Sequence, residues 1–275
     1  MASVACVFAL IYVAWLWVDT PDVTHLKTQR PSTTALMWLR ERERAPQARL
    51  LPEDWIPVEH MPLLACAVVK AEDRMFFRHG GFDWHETRVA LWQAWRTGHL
   101  RGASTMTAQL ARTLFLSPER SLERKLREAF LVQDLEKALS KRDILELYLN
   151  TIEWGDGVYG AADAARQYFG KPPDVLDPFE AATLASLIPA PGAPLVGKNL
   201  DRFNRSHARV LRQLYRSRII TQEERDAAEA SRRTGLSDAA TTPWPTHHAW
   251  VPRHDLMPFL DQECGLEDEL ANRRH

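Results

Sequence analysis

At 275 residues, with 45% hydrophobic and 26% charged positions, the chain has the make-up of a folded protein large enough for one domain and a tail, which excludes disorder as its default state. A formal net charge of −1 excludes bulk basicity, so no nucleic-acid partner is expected. Cys6, Cys66 and Cys264 are too few and too scattered for a disulfide framework or a zinc site, and they leave the redox compartment open.

The segment MASVACVFALIYVAWLWV, residues 1–18, carries no charge before Asp19. As a helix it would span about 27 Å, close to a bilayer core of about 30 Å. Trp15 and Trp17 suit an interfacial belt. There is no basic leader region and no clear A-x-A site, which argues against a cleaved signal peptide. A transmembrane anchor over 1–18 is therefore expected, with a buried core helix as its rival.

Further along, VVKAEDRMFFRHGGFDWHE sets Glu72 and Asp73 between an apolar run and an aromatic, basic cluster. Desolvation and neighbouring charge can both move a carboxyl pKa in such a place, although a helix that merely ends there gives the same pattern. Cys66, in the preceding LLACAVV, reads as a small core residue. Asp83 with Glu86 three residues on opens a helix that Gly98 stops. RGASTMTAQLART, between Arg101 and Arg112, suits sugar hydroxyls and phosphate oxygens, or equally a helix capped by Ser104 or Thr105. Ser117 and Pro118 fit N-cap and N1 of the next helix, where Arg120, Arg124, Lys125 and Arg127 precede Glu128. Arg124 and Glu128 share a face there, and a solvated salt-bridged surface is the plain meaning of such a run.

Ser140 with Asp143, Asp177 with Pro178 and Glu180, and Thr221 with Glu224 mark three later helix starts. Glycines gather in EWGDGVYG, which reads as a loop. No succession of alternating strands is evident, so the class is mainly α. IPAPGAP separates a helical pair around 201–232, and a Pro/His-rich tail follows whose His247, His248 and His254 fit no metal spacing.

One motif at a time the bland readings win; in order they do not. AEDRMFFRHGGFD, GASTMTAQLARTLFL, RSLERKLREA and SKRDILELYLNTIEWGDGVYGAADAARQYFGK together resemble glycosyltransferase family 51, the peptidoglycan glycosyltransferases, over residues 31–232. That family comprises monofunctional enzymes and the first domains of class A penicillin-binding proteins. The resemblance implies a lysozyme-like, mainly α domain over 55–232, behind the anchor (1–18) and a membrane-proximal segment (19–54) and ahead of the tail (233–275). It implies a single-pass protein of the bacterial inner (cytoplasmic) membrane with its catalytic domain on the outer, periplasmic face. The implied reaction polymerises lipid II into β-1,4 glycan with inversion and release of undecaprenyl pyrophosphate. Lipid II, the growing glycan strand, the membrane and separate transpeptidases are the implied partners.

Residue by residue, Glu72 matches the family's general base, with Asp73 adding like-charge pressure and Phe76 and His79 shaping the site. Glu128 matches the second acid, which would hold basic residues or a divalent metal, Mg or Mn, at the donor pyrophosphate. Arg112, Arg124 and Lys125 match the stabilisers of the leaving group, and Ser104, Thr105 and Gln109 the donor side of the cleft. Asn150, in YLN, suits a structural role. The chain departs from the family at Ala108 (usually Gln), Arg112 (usually Lys) and Thr113 (usually Asn). No Ser-x-x-Lys of a transpeptidase occurs, so no cross-linking activity is expected. Two other readings are a lysozyme-like glycan-cleaving enzyme and a non-catalytic cell-wall scaffold. The basic cluster weighs against the first, and both retained acids against the second.

Overall fold

The computed structural model describes residues 2–43, 54–98, 104–119 and 121–235. Arg101, Arg120, Cys264, the three tail histidines and residues 236–275 of the expected tail lie outside them. Among the described residues the helices, in chain order, are α1 (Ala2–Val18), α2 (Ala35–Glu43), α3 (Pro62–Glu72), α4 (Trp84–Thr97), α5 (Met106–Phe115), α6 (Leu122–Ala138) and α7 (Lys141–Thr151). After the strands β1 (Glu153–Gly155) and β2 (Val158–Tyr159) come α8 (Ala161–Phe169), α9 (Pro178–Leu187), α10 (Gly197–Arg216) and α11 (Gln222–Gly235). The architecture is mainly helical.

The caps explain most helix boundaries. Asp83 accepts the Glu86 N–H at 2.8 Å to start α4, and Gly98, in a left-handed conformation at φ 69°, ends it. Asp177 and Glu180 form a reciprocal capping box on α9, with Pro178 in the first turn. Thr221 and Glu224 exchange the same pair of bonds ahead of α11. The start of α6 differs from expectation. Ser121, not Ser117, accepts the Arg124 N–H at 3.0 Å, so the helix begins four residues later. EWGDGVYG is also more than a loop, since Glu153 pairs with Tyr159 and Gly155 with Val158 in an antiparallel ribbon.

The expected transmembrane anchor, and with it the single-pass placement in the inner membrane, is overturned: among the described residues no helix is long and apolar enough to cross a membrane. α1 has 17 residues, about 26 Å of helix against a core of about 30 Å. Its C-terminal end is held by polar partners. Tyr12 donates to Glu123 at 2.8 Å, Arg127 bridges to Asp19 at 2.8 Å and lies over the Trp15 ring, and Leu16 is fully buried. The charge-free run is therefore a short helix docked on α6.

The chain forms two compact units. Of the described residues, the first takes those within 1–50 and 78–144, the second those within 51–77 and 145–275. In the first, α5 packs on α2 and α6, and α1 on α6; Met106, Leu110, Leu131 and Leu135 supply fully buried core. In the second, α3, α9 and α10 pack on one another and α11 closes on α9 and α10. Seven successive residues of α3, Leu63–Val69, are buried, the pattern of a helix covered on all sides. Cys66 is among them, as expected.

Candidate active site

In the first unit the hydroxyl-rich motif becomes the N-terminus of α5. Thr105 is its N-cap and is buried; its Oγ1 accepts the Ala108 N–H at 3.2 Å and donates to the Gly81 carbonyl at 2.7 Å. Two turns along, Arg112 reaches back to donate to Ser104 Oγ at 2.8 Å. Gln109 is half-buried on the same helix and Ala108 is buried.

Glu128 projects from α6 and is 1% exposed. Arg124, one turn earlier on the same helix, donates to its Oε2 at 2.9 Å; Arg112 approaches the same oxygen at 3.5 Å; Lys125 pairs with Oε1. Helical spacing i, i+3 and i, i+4 delivers Arg124 and Lys125 to the acid, and α5–α6 packing delivers Arg112. Three cations against one carboxylate leave the cluster positive. Leu36, Leu116 and Pro118, with Arg112, Thr113, Ser117 and Arg124, line a cavity of about 470 Å³ beside it. An anion that brings an apolar attachment is the ligand such walls suit.

The second unit holds the carboxylate pair. Glu72 is the last residue of α3 and half-buried; Asp73 is the C-cap, 7% exposed, with its N–H bonded to the Val69 carbonyl at 3.0 Å. The Asp73 carbonyl accepts the Phe76 N–H at 3.1 Å, and Phe76, fully buried, meets Phe77 edge to face at 4.9 Å. The apolar run and the aromatic pair thus bracket the acids on either side. The segment leading into α3 is clipped to α7. Asn150 accepts the Ile56 N–H at 3.0 Å and donates to the Ile56 carbonyl at 2.8 Å, while Glu146 takes the Val58 N–H and the Trp55 indole N–H.

Ser104, Arg112, Arg124, Lys125 and Glu128 therefore meet in one cluster. His79, Thr105 and Gln109 belong to that same unit, and Glu72, Asp73 and Phe76 to the other. Gly81 and Glu136 were not singled out by sequence reasoning. A Cβ on Gly81, whose φ is +91°, would lie 2.5 Å from Val132 Cγ1 and 3.0 Å from Glu136 Cγ. Glu136 itself accepts from Thr107 at 2.5 Å and from Lys141 at 2.7 Å. The doubled glycine after His79 was the available signal, since a tight turn pressed on a helix needs a residue without Cβ.

The first unit thus carries a buried acid ringed by cations beside a half-apolar cavity, and the second an acid pair at a helix end. The comparisons make the assignment specific. The family model described as transglycosylase matches residues 44–215, and the chain belongs to this family of peptidoglycan glycosyltransferases. The biosynthetic peptidoglycan transglycosylase of Azoarcus sp. (strain BH72) is 44% identical over 189 residues, covering 67% of this chain and 81% of that protein. Its counterpart in Nitrosomonas eutropha is 39% identical over 216 residues, 77% of this chain and 83% of the relative. That of Alcanivorax borkumensis is 40% identical over 189 residues, 68% and 75% of the two chains.

Proposed function

We propose that this peptidoglycan glycosyltransferase polymerises lipid II into β-1,4 glycan strands, inverting the anomeric centre and releasing undecaprenyl pyrophosphate. The observation that carries this reading is the convergence of Arg112, Arg124 and Lys125 on the buried Glu128 beside a cavity whose walls are part apolar and part polar. A departing pyrophosphate gathers negative charge as the C–O bond breaks, and preorganised cations stabilise it most when they need not move at that moment. Glu128 holds them in place without itself touching the reacting atoms. Arg112 reaches both Ser104 and Glu128 through the same terminal nitrogen, Nη1.

Glu72 takes the proton from the acceptor sugar's 4-hydroxyl as its oxygen attacks the anomeric carbon from the face opposite the pyrophosphate. General-base catalysis of this kind contributes about 10² to 10⁴-fold. Asp73 and Phe76 fix the local backbone that presents Glu72, through the N-H and carbonyl bonds at the end of α3. Ser104 and Gln109 contact the donor strand, and Thr105 holds the turn before α4 through Gly81.

A divalent metal at the pyrophosphate fits the present residues poorly. Both Glu128 oxygens are engaged by cations, and among the described residues no group of three His, Cys, Asp or Glu gathers to hold an ion.

The test is incubation of the purified protein with lipid II. Expected products are undecaprenyl pyrophosphate and a glycan that lysozyme degrades, the mark of β-1,4 linkage. A folded protein that binds lipid II yet forms no polymer contradicts the proposal.

A further inference from the structure

The outer face of α10 carries a row of cations that the reaction does not use. Lys198, Arg202, Arg205, Arg209, Arg212 and Arg216 are all exposed. Their spacing alternates between four and three, which keeps them within about 80° of arc and strings them along about 27 Å of helix axis. On the opposite side Phe203, His207, Val210, Leu211 and Leu214 are buried, and α10 packs on α3 and α9. The ordinary meaning of a charge run is a solvated face laced with ion pairs. α6 fits that meaning, since Arg124 and Lys125 meet Glu128 and Arg127 meets Glu123. α10 does not. Asp201 is its one acid, and among the described residues no acid pairs with any member of the row. Each member instead has a like-charged neighbour at i, i+3 or i, i+4, which weakens the helix that carries it. Cations gathered against that repulsion, in a chain whose formal net charge is −1, suit an anionic partner.

We propose that this row is a binding track for the product strand: its guanidinium and ammonium groups pair with the carboxylates of the peptides that the glycan carries. The identity of the strand rests on the glycosyltransferase reading above. Two features favour a strand over a lipid surface. The charges lie in a line and recur every seven residues, about 10.5 Å, so a linear ligand with an anion at each repeat engages several at once, and weak pairs along one strand reinforce one another. An interfacial helix, by contrast, lays an apolar face into the headgroup region, and no large hydrophobic side chain of α10 is exposed. α3, whose last residue is Glu72, packs on α10 within the same unit, so the track belongs to the body that carries the proposed base.

The test measures binding of the full chain to soluble, uncross-linked peptidoglycan strands, with their peptides intact and after an amidase has removed them. Arg202, Arg205, Arg212 and Arg216 are replaced together by Gln, and in a second variant by Lys; Arg209, which donates to Ser206 at 3.2 Å, stays in place. Gln forms helix about as well as Arg and relieves the repulsion, so the Gln variant is expected to unfold no lower than wild type. Intact strands are expected to bind the Gln variant about tenfold more weakly, the sum of four exposed ion pairs, and the difference should shrink at high salt. The Lys variant, which keeps the charge, is expected to bind nearly as wild type does, and stripped strands to bind wild type as weakly as intact strands bind the Gln variant. Equal binding of intact strands by wild type and the Gln variant, equal binding of intact and stripped strands by wild type, or a Lys variant as weak as the Gln one overturns the proposal. So does a Gln variant that loses binding to phosphatidylglycerol vesicles while its strand binding is unchanged, which assigns the row to a lipid surface instead. If wild type makes no polymer from lipid II, the glycosyltransferase reading has failed, and the strand measurements still decide the track.

Discussion

Replacing Glu128 by Gln removes one charge and almost no volume, so its consequences can be worked from the geometry. The carboxylate is 1% exposed and serves Arg124, Arg112 and Lys125. Removing one member of a buried ion pair costs about 3–5 kcal/mol when the partner is left stranded. Here the partners are not equally stranded: the Lys125 side chain is 60% exposed and that of Arg112 36%, so both can turn to water, while Arg124, at 17%, is the captive one. The expected loss is therefore nearer about 2 kcal/mol, a fall of about 4–8 °C in the unfolding midpoint for a chain of this size. Activity should suffer more than stability. With the hub neutral, mutual repulsion spreads the three cations, and leaving-group stabilisation drops by about 10² to 10³-fold. Thermal unfolding and lipid II polymerisation, measured on the same preparation, check both numbers. A variant with an unmoved midpoint and full turnover would refute the claim that Glu128 assembles the cationic cluster.

Asn150→Leu leaves the Ile56 N–H and carbonyl without their side-chain partner in a buried setting, at a cost of about 2–4 kcal/mol, read as a lower urea midpoint at unchanged slope. Glu180 gives a pH test. Burial first, then the Asp177 charge, raise its carboxyl above the ordinary 4.5 against the pull of Lys171. The folded state therefore binds this proton more tightly than the unfolded chain does, so stability from this group is present below about pH 4.5 and declines as pH climbs through the raised value. The stability difference between wild type and Glu180→Gln should shrink across that rise, and a difference that grows with pH contradicts the assignment.

Much of this site was legible because short-range chemistry fixes it. The capping pairs at Asp83, Asp177 and Thr221 lie where their spacing puts them, and the i, i+4 relation of Arg124 to Glu128 is a property of any helix. The run RSLERKLRE alone reads as a solvated face; only α5, which carries Arg112 to within 3.5 Å of Glu128, and the burial of that acid make it a cluster. Pairings distant in sequence escape such reading. Thr105 with Gly81, 24 residues apart, and Asn150 with Ile56, 94 apart, have no local signature. The start of α6 was misjudged because SPERS offers two serines, and local pattern does not say which one finds an open N–H. The N-terminal run misled for a related reason: its hydropathy announces burial, whereas the polar grip of Glu123 and Arg127 on Tyr12 and Asp19 comes from a helix more than 100 residues away.

The proposed role of Glu72 as the base is tested most directly by comparing wild type with Glu72→Gln in detergent with lipid II, resolving products on a gel beside unfolding curves for each protein. A ladder of glycan strands is expected from wild type and none from the variant, with matching midpoints. Equal ladders from both would place the base on another residue and contradict the mechanism at its main step.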